Sequence, residues 1–381
     1  VDFDPTPEQR ERVDRVTEHV RNGLAGTPPR SPDEPLTRDE WRTMAEAGLT
    51  GACLPASVGG GGLGALDTAL LLEAAGAACD HGGLPFAVAA HLLACGVPLR
   101  DFGRGDAVDD LLRGMASGEV VAGNAVTEDG AGSDVNAMAA TAERDSGGYV
   151  LNGTKSFVSN APEADVLVTY AVTDASASFL GITAFAVPRG TPGITVGPTL
   201  RKTGLHACPA ARVTFTDCRV PGSLRLGAEG QGGAVFQFSM AWERACLPAV
   251  YLGSMEDQLG RTAAHVRGRR QFGRSLGGFQ AVSHRVAAMR QRLDAARLLL
   301  YRACWLLDRG RPEADTAIAM SKVAVTEAAV ANGLDALQLF GASGYLTETG
   351  VEQRLRDALP GTLVSGTSEI QREVIARGEG L

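Results

Sequence analysis

The sequence has no paired cysteines. Its seven, Cys53, Cys79, Cys95, Cys208, Cys218, Cys246 and Cys304, are scattered, with no CxxC and no histidine at metal-ligand spacing. That argues against a disulfide scaffold and a zinc site, and leaves small buried thiols in a reducing cytoplasm. Positive charge is not in excess either. Against 36 Lys and Arg stand 44 Asp and Glu, a net charge of −8, so no general affinity for nucleic acid is expected. No stretch approaches about 18 uninterrupted apolar residues, so no membrane span is expected. The opening VDFDPTPEQRERVDRV is charged and has no apolar leader core, which points to a cytoplasmic protein. No internal repeat and no low-complexity tract is visible.

What is present is a chain of 381 residues, 44% hydrophobic and 21% charged, enough for a sizeable core in two or three domains. Residues 1–116 read as an N-terminal helical domain. Thr37 is a good N-cap with acidic residues in the first turn after it, and ALDTALLLEAAGAAC (65–79) is a second helix. The GGGGLG run at 59–64 lacks the strand before it and the GK[ST] after it that a phosphate loop needs, and reads as a flexible connection. Residues 117–230 change to a period of two and form a middle β-barrel domain. In it, Asn152-Gly153 is a hairpin signal. Residues 231–381 form a C-terminal helical bundle. Val282, Val286, Met289, Leu293, Ala296 and Leu300 make one apolar stripe, and 313–340 form a second long helix ending near Gly341.

Four stretches carry candidate chemistry. In FQFSMAWERACLPAVYLG (236–253), Glu243 is a carboxylate in apolar company, to be read either as an exposed pair with Arg244 or as a functional group. VTEDGAGSD (126–134) has glycines that permit close backbone approach and hydroxyls at Thr127 and Ser133. RGRRQFG (267–273) offers Arg269, Gln271 and Phe272 within one turn, suited to an anion with an aromatic attachment. In LVSGTSEIQRE (363–373), Ser368-Glu369-Ile370-Gln371 fits a capping box after a Gly366-Thr367 loop.

Together with NGTKSFVSN, RRQFGRSLGGFQ, LQLFGASGY and VEQRLRDALPGTLVSGTSEIQR, these stretches give the chain a resemblance to the acyl-CoA dehydrogenase family of flavoproteins, in order and along nearly its whole length. The resemblance implies an α+β multi-domain fold, with an N-terminal helical domain, a middle β-domain and a C-terminal four-helix bundle. It implies a homotetramer or homodimer with noncovalent FAD. The reaction it implies is removal of a Cα proton and a Cβ hydride from an acyl thioester. By position, Val126, Thr127, Ser133, Phe157 and Ser159 would meet flavin or substrate. Arg269, Phe272 and Gln280 would bind FAD, partly across an interface. Gln338, Gly341 and Ala342 would serve its diphosphate part from a neighbouring subunit. Gly366, Thr367 and Glu369 match the final cofactor loop.

Phe157, Ser159 and Ala342 depart from the usual Trp, Thr and Gly of the family. The departure that matters is Ser365, which stands where much of the family has its catalytic glutamate. A serine cannot serve as the base there. Isovaleryl-type members carry the glutamate instead directly before an arginine with a glycine ten residues on, as Glu243, Arg244 and Gly253 stand here. The resemblance therefore implies Glu243 as catalytic base, with Ser133 and Arg244 as substrate contacts. The substrate would be an acyl-CoA or an acyl or aminoacyl carrier protein, and the electron acceptor an electron-transfer flavoprotein or oxygen. The alternatives are a flavin-dependent monooxygenase or oxidase of the same fold, and a non-catalytic flavin-binding scaffold.

Overall fold

The computed structural model describes residues 4–25, 34 and 36–381. The first two helices open on reciprocal caps. Before α1 (Pro7–Gly23), the Thr6 hydroxyl accepts from Gln9 N–H and the Gln9 side chain returns to Thr6 N–H. Thr37 and Glu40 do the same before α2 (Arg38–Glu46), so two orphan donors are satisfied at each start. The glycine run before α3 (Ala65–Ala78) is not a flexible connection. Gly60, Gly61, Gly62 and Leu63 donate to the carbonyls of Pro55, Gly51, Leu54 and Ala52 at 2.8–3.0 Å. A Cβ on Gly60 would lie 2.3 Å from the Leu54 carbonyl oxygen, so glycine here serves close backbone packing.

A rod of α4 (Gly83–Ala89), a π-helical segment (Ala90–Gly96) and α5 (Val97–Phe102) runs through the interior. Its 20 residues are long and apolar enough to cross a membrane, but 94% of the apolar window is buried within the protein. His91 on this rod accepts from Ala122 N–H through Nδ1 at 3.0 Å, and burial pushes its pKa down to about 4. A neutral imidazole thus joins the helical region to the sheet. α6 (Asp106–Ser117) completes that region.

The sheet comprises β1 (Ala122–Ala125), β2 (Thr141–Arg144), β3 (Gly148–Ser159), β4 (Val166–Val172), β5 (Ile182–Pro188), β6 (Ile194–Val196), β7 (Ala210–Pro221) and β8 (Arg225–Leu226). Its order is β6-β7-β3-β2-β4-β5-β8, with β1 parallel to β4. Asn152-Gly153 is not a hairpin turn. The pair lies inside β3 at a register shift against β7, where Gly153 has φ +140° and a Cβ would meet Ala140 at 2.6 Å. The β2–β3 hairpin instead turns at Asp145, whose carboxylate accepts from the N–H groups of Gly147 and Gly148 at 2.9 Å. An Asp that binds the backbone ahead of it competes as a turn former with Asn-Gly.

The C-terminal region holds α7 (Gly232–Cys246), α8 (Ala249–Gly268), a hairpin of β9 (Arg270–Gln271) and β10 (Arg274–Ser275), α9 (Gln280–Asp308), α10 (Ala314–Phe340), α11 (Val351–Ala358) and α12 (Ser368–Gly378). The expected stripe on α9 faces inward: Met289, Leu293, Ala296 and Leu300 are buried, while Val282 and Val286 pack at the core's edge. Gly253 on α8 belongs to the helix crossing with α3. A Cβ there would lie 2.0 Å from the Glu73 carbonyl, and one on Gly76 would lie 2.2 Å from that of Val250. All seven cysteines are buried and free.

Candidate active site

Glu243 sits on the last turns of α7 and is 7% exposed. The exposed Glu–Arg pair is therefore not what forms. Arg244 turns instead to the loop before α12 and donates through Nε to the Ser365 carbonyl at 2.8 Å. The Ser365 hydroxyl donates to Glu243 Oε1 in a short contact, while Oε2 is buried and has no partner. Burial pushes the Glu243 carboxyl above the usual carboxylate range. The Ser365 hydrogen bond and the charges of Arg244 and Lys322 oppose that rise without cancelling it. A buried carboxylate with one free oxygen is a basic, directed proton acceptor.

The loop opposite adopts an unusual backbone. Ser365 and Gly366 are consecutive left-handed residues, with φ 56° and 86°. Glycine does this freely; serine does it at a cost. Three side chains hold the turn. Besides Arg244, Lys322 on α10 donates Nζ to the Gly366 carbonyl at 2.8 Å. Gln371 Nε2 reaches the same carbonyl at 3.3 Å and that of Ser365 at 3.5 Å. Lys322 is 2% exposed, and burial together with the Arg244 charge pushes its pKa down to about 8. Sequence reasoning did not single out Lys322, and it took Gln371 only as the end of a capping box. The cap of α12 also differs from expectation: Thr367, not Ser368, is the N-cap and accepts from Ile370 N–H. Ser368 is the first helical residue, because the left-handed Gly366 ends the loop one residue earlier than the S-x-x-Q pattern suggests.

The β-domain loop is held by different chemistry. Glu128, inside VTEDGAGSD, accepts from buried Lys155 Nζ at 2.7 Å and from the N–H groups of Ala139 and Ala140 at 2.7 and 3.0 Å. Asp129 binds Ser156 and Arg212, and Thr127 accepts from Ser156 N–H at 2.7 Å. These contacts fix Val126 and Thr127 beside β3 and leave Ser133 exposed on the loop. Phe157 occupies the second register shift of β3, between Lys155 and Val158, at φ 57° and 64% exposed. A bulge has turned a large aromatic ring out of the sheet. Ser159, at the end of β3, is half-buried opposite Ala210.

The third stretch is a hairpin rather than a helical turn. Arg269 caps α8, and Gln271 pairs with Arg274 across a two-residue turn of Phe272 and Gly273, both at positive φ. The Phe272 ring is 92% exposed at its tip, and Gln280 opens α9 just beyond. Gln338, Gly341 and Ala342 are exposed at the far end of α10. His265 and Phe340 stack at 4.1 Å, tying that end to the end of α8. Sixteen residues separate Lys322 from Gln338 on one helix, about 24 Å at 1.5 Å per residue. One chain therefore brings Glu243, Arg244, Ser365, Gly366 and Thr367 together. It carries Arg269, Phe272, Gln280, Gln338, Gly341 and Ala342 at the other end of the bundle.

These residues suit a flavin dinucleotide. Phe157 and Phe272 hold bare aromatic faces at left-handed backbone positions that bulky residues otherwise avoid. At Gly130, Gly132 and Gly341 a Cβ would meet no atom within 4 Å, so the chain leaves open space beside the backbone there. Beside the Gly366 turn, Ser368 Oγ and Gln371 Oε1 are buried without partners.

Comparison with known proteins agrees along the whole chain. The acyl-CoA dehydrogenase N-terminal, middle and C-terminal domains match residues 6–119, 123–218 and 230–380. An L-prolyl-[peptidyl-carrier protein] dehydrogenase of Pseudomonas fluorescens is 49% identical over 343 residues, 90% of each chain. The mitochondrial isovaleryl-CoA dehydrogenase of Pongo abelii is 34% identical over 97% of this chain and 88% of its own. Among solved structures, PigA with FAD and proline superposes with a TM-score of 0.97 at 41% identity over the full length of both chains. The prolyl acyl carrier protein oxidase AnaB gives 0.96 at 35%, over 99% of this chain and 100% of its own. With all three domains matched in order, and with the buried carboxylate on α7 facing a serine at 365, the chain belongs to the acyl-CoA dehydrogenase family.

Proposed function

We propose that the protein dehydrogenates a prolyl thioester carried on a peptidyl carrier protein, with Glu243 as the base. Membership of the family makes it an FAD-dependent oxidoreductase acting on the CH–CH bond of an acyl thioester. The observation that carries the assignment of the base is Glu243 Oε2, a buried carboxylate oxygen with no partner in the folded chain. Burial makes this group a stronger base towards a weakly acidic Cα–H and keeps water from competing for the proton. The prolyl group and its carrier are supported by the 49% and 44% identity to two L-prolyl-[peptidyl-carrier protein] dehydrogenases.

The chemistry that bound FAD supplies is acceptance of the hydride leaving Cβ. Val126, Thr127, Ser133, Phe157 and Ser159 would hold its ring end, with Gly366, Thr367 and Glu369 beside it. Arg269, Phe272 and Gln280, with Gln338, Gly341 and Ala342, would hold the remainder from a second copy of the chain, which makes the protein at least a dimer. Arg244 and Ser133 would contact the substrate, Arg244 also holding the Ser365 carbonyl.

The test is anaerobic mixing of the yellow protein with prolyl-carrier protein, prolyl-CoA and straight-chain acyl-CoA. Prolyl-carrier protein should bleach the flavin fastest. Glu243→Gln should keep FAD but slow that bleaching by about 10²–10⁴-fold, the range for loss of a general base. Bleaching at the unmodified rate would remove Glu243 from the reaction. The likeness to AnaB, an oxidase by name, favours one second reading, in which oxygen is the acceptor. Hydrogen peroxide released during turnover in air, with no other acceptor, separates it from a flavoprotein-linked dehydrogenase.

A further inference from the structure

We propose that Ser365 is the positioning residue for the base: its hydroxyl occupies one oxygen of Glu243 and leaves the other free, and Arg244 and Lys322 lock the turn that delivers it. The proposal rests on the reading of Glu243 as base. It adds a role for the position that has lost the carboxylate.

The geometry is a closed loop of contacts. Arg244 follows Glu243 on α7 and grips the Ser365 carbonyl, while Ser365 returns its hydroxyl to Glu243. One residue on, the Gly366 carbonyl is gripped by Lys322 from α10. The two carbonyls held by cations belong to the peptide planes on either side of the Gly366 Cα, so the grip fixes the left-handed Gly366 and the plane that leaves Ser365. Without the grip, Ser365, itself at left-handed φ, would relax towards an ordinary conformation, and its hydroxyl would leave the carboxylate. The pairing is also selective. Oε1 receives the hydroxyl, and Oε2 is the atom left without a partner. A carboxylate held by one oxygen cannot spin freely, so the free oxygen is presented in a fixed direction.

The charges around Glu243 give the device a measurable signature. Arg244 flanks it on its own helix and Lys322 faces it from α10. Cys95 faces it from the π-helical segment and Tyr170 from β4. Burial pushes both of these far up, so they stay uncharged. Behind the two cations stand Asp315, near Arg244, and Glu369, near Lys322. A donated hydrogen bond and a nearby cation both favour the ionised base. Removing either must raise the pH at which Glu243 becomes active.

The experiment follows flavin reduction by prolyl-carrier protein across pH in the holoenzyme. Ser365→Gly removes the hydroxyl and suits the left-handed backbone. It should keep FAD, lose about tenfold in rate on the acid side, the effect of one hydrogen bond to a charged group, and move the acid limb to higher pH. Ser365→Asn restores a donor that tolerates this backbone and should move the limb back. Lys322→Met should shift the limb the same way, and Lys322→Arg should reverse it. An acid limb unchanged in Ser365→Gly would overturn the proposal. So would a uniform loss of rate at every pH that Asn does not repair, the sign of a merely structural role. If Lys322→Met does not hold FAD, the Ser365 pair decides alone. Unimpaired reduction by Glu243→Gln is a separate result: it removes the base itself, whatever the Ser365 variants do.

Discussion

Two glycine-bearing loops among the candidate cofactor contacts are each anchored by a buried lysine, but the two anchors differ in kind. In the β-domain, Lys155 meets a carboxylate, Glu128, which also takes two backbone N–H groups. Burial lowers the pKa of Lys155, but the Glu128 hydrogen bond and charge oppose that fall, and Glu128 is held below its ordinary pKa despite its burial. In the bundle, the one hydrogen bond of Lys322 among the described residues goes to a carbonyl. Its charge is not neutralised by its own hydrogen bond, and its pKa falls to about 8. The first anchor is a closed structural pair. The second projects positive charge towards Glu243. A buried cation can thus be a rivet or part of the electrostatics of a site, and its acceptor tells which.

Lys155→Met should break this comparison hardest. It leaves Glu128 buried and unpaired, which costs about 3–5 kcal/mol, whereas Lys322→Met leaves a carbonyl short of one donor, about 1–3 kcal/mol. Thermal unfolding of both variants should rank them in that order; the reverse ranking would mean that the Lys322 charge is paired after all. A smaller effect sharpens the contrast through pH. The folded pKa of Lys322 lies below its ordinary 10.5, so between about 8 and 10.5 the unfolded chain keeps a proton that the folded chain has released. Stability rises with pH where the unfolded state binds more protons. The unmodified protein should therefore gain stability over Lys322→Met across that window in denaturant titrations, with no such gain below it. The smallest effect on stability belongs to Phe272→Ala. An exposed ring contributes within about 0.5 kcal/mol, yet FAD retention on gel filtration should fall, since the ring is proposed to hold FAD in a second copy of the chain.

The elements that the sequence revealed are those whose cause is local. The Thr37 cap and the α9 stripe follow from neighbours three and four residues away, and both are present. Asn152-Gly153 misled because a distant strand decides the register: Gly153 is demanded by Ala140 pressing on β3, not by a turn. Ser368 misled by one residue, because Thr367 is the first side chain beyond the left-handed pair. Gly253, suggestive by its spacing from Glu243, has its physical reason in the Gly76 crossing. The missed residue is the instructive one. Lys322 is the one basic residue of α10 and stands within its small and apolar stretch AIAMSKVAV (317–325). That is the same anomaly that made Glu243 conspicuous, and the same question asked of both would have paired them.

Only three of the 36 basic residues are lysine: Lys155, Lys202 and Lys322. Two are buried at the site loops and the third is half-buried. The cationic surface of the described residues is therefore guanidinium. Arginine holds its proton at any pH the protein will meet and does not react as an amine. Amine-acylating reagents, and lysine acylation by the reactive thioesters such an enzyme handles, find little to attack on the outside of the fold. The two amines whose loss would matter most lie behind the loops they fasten.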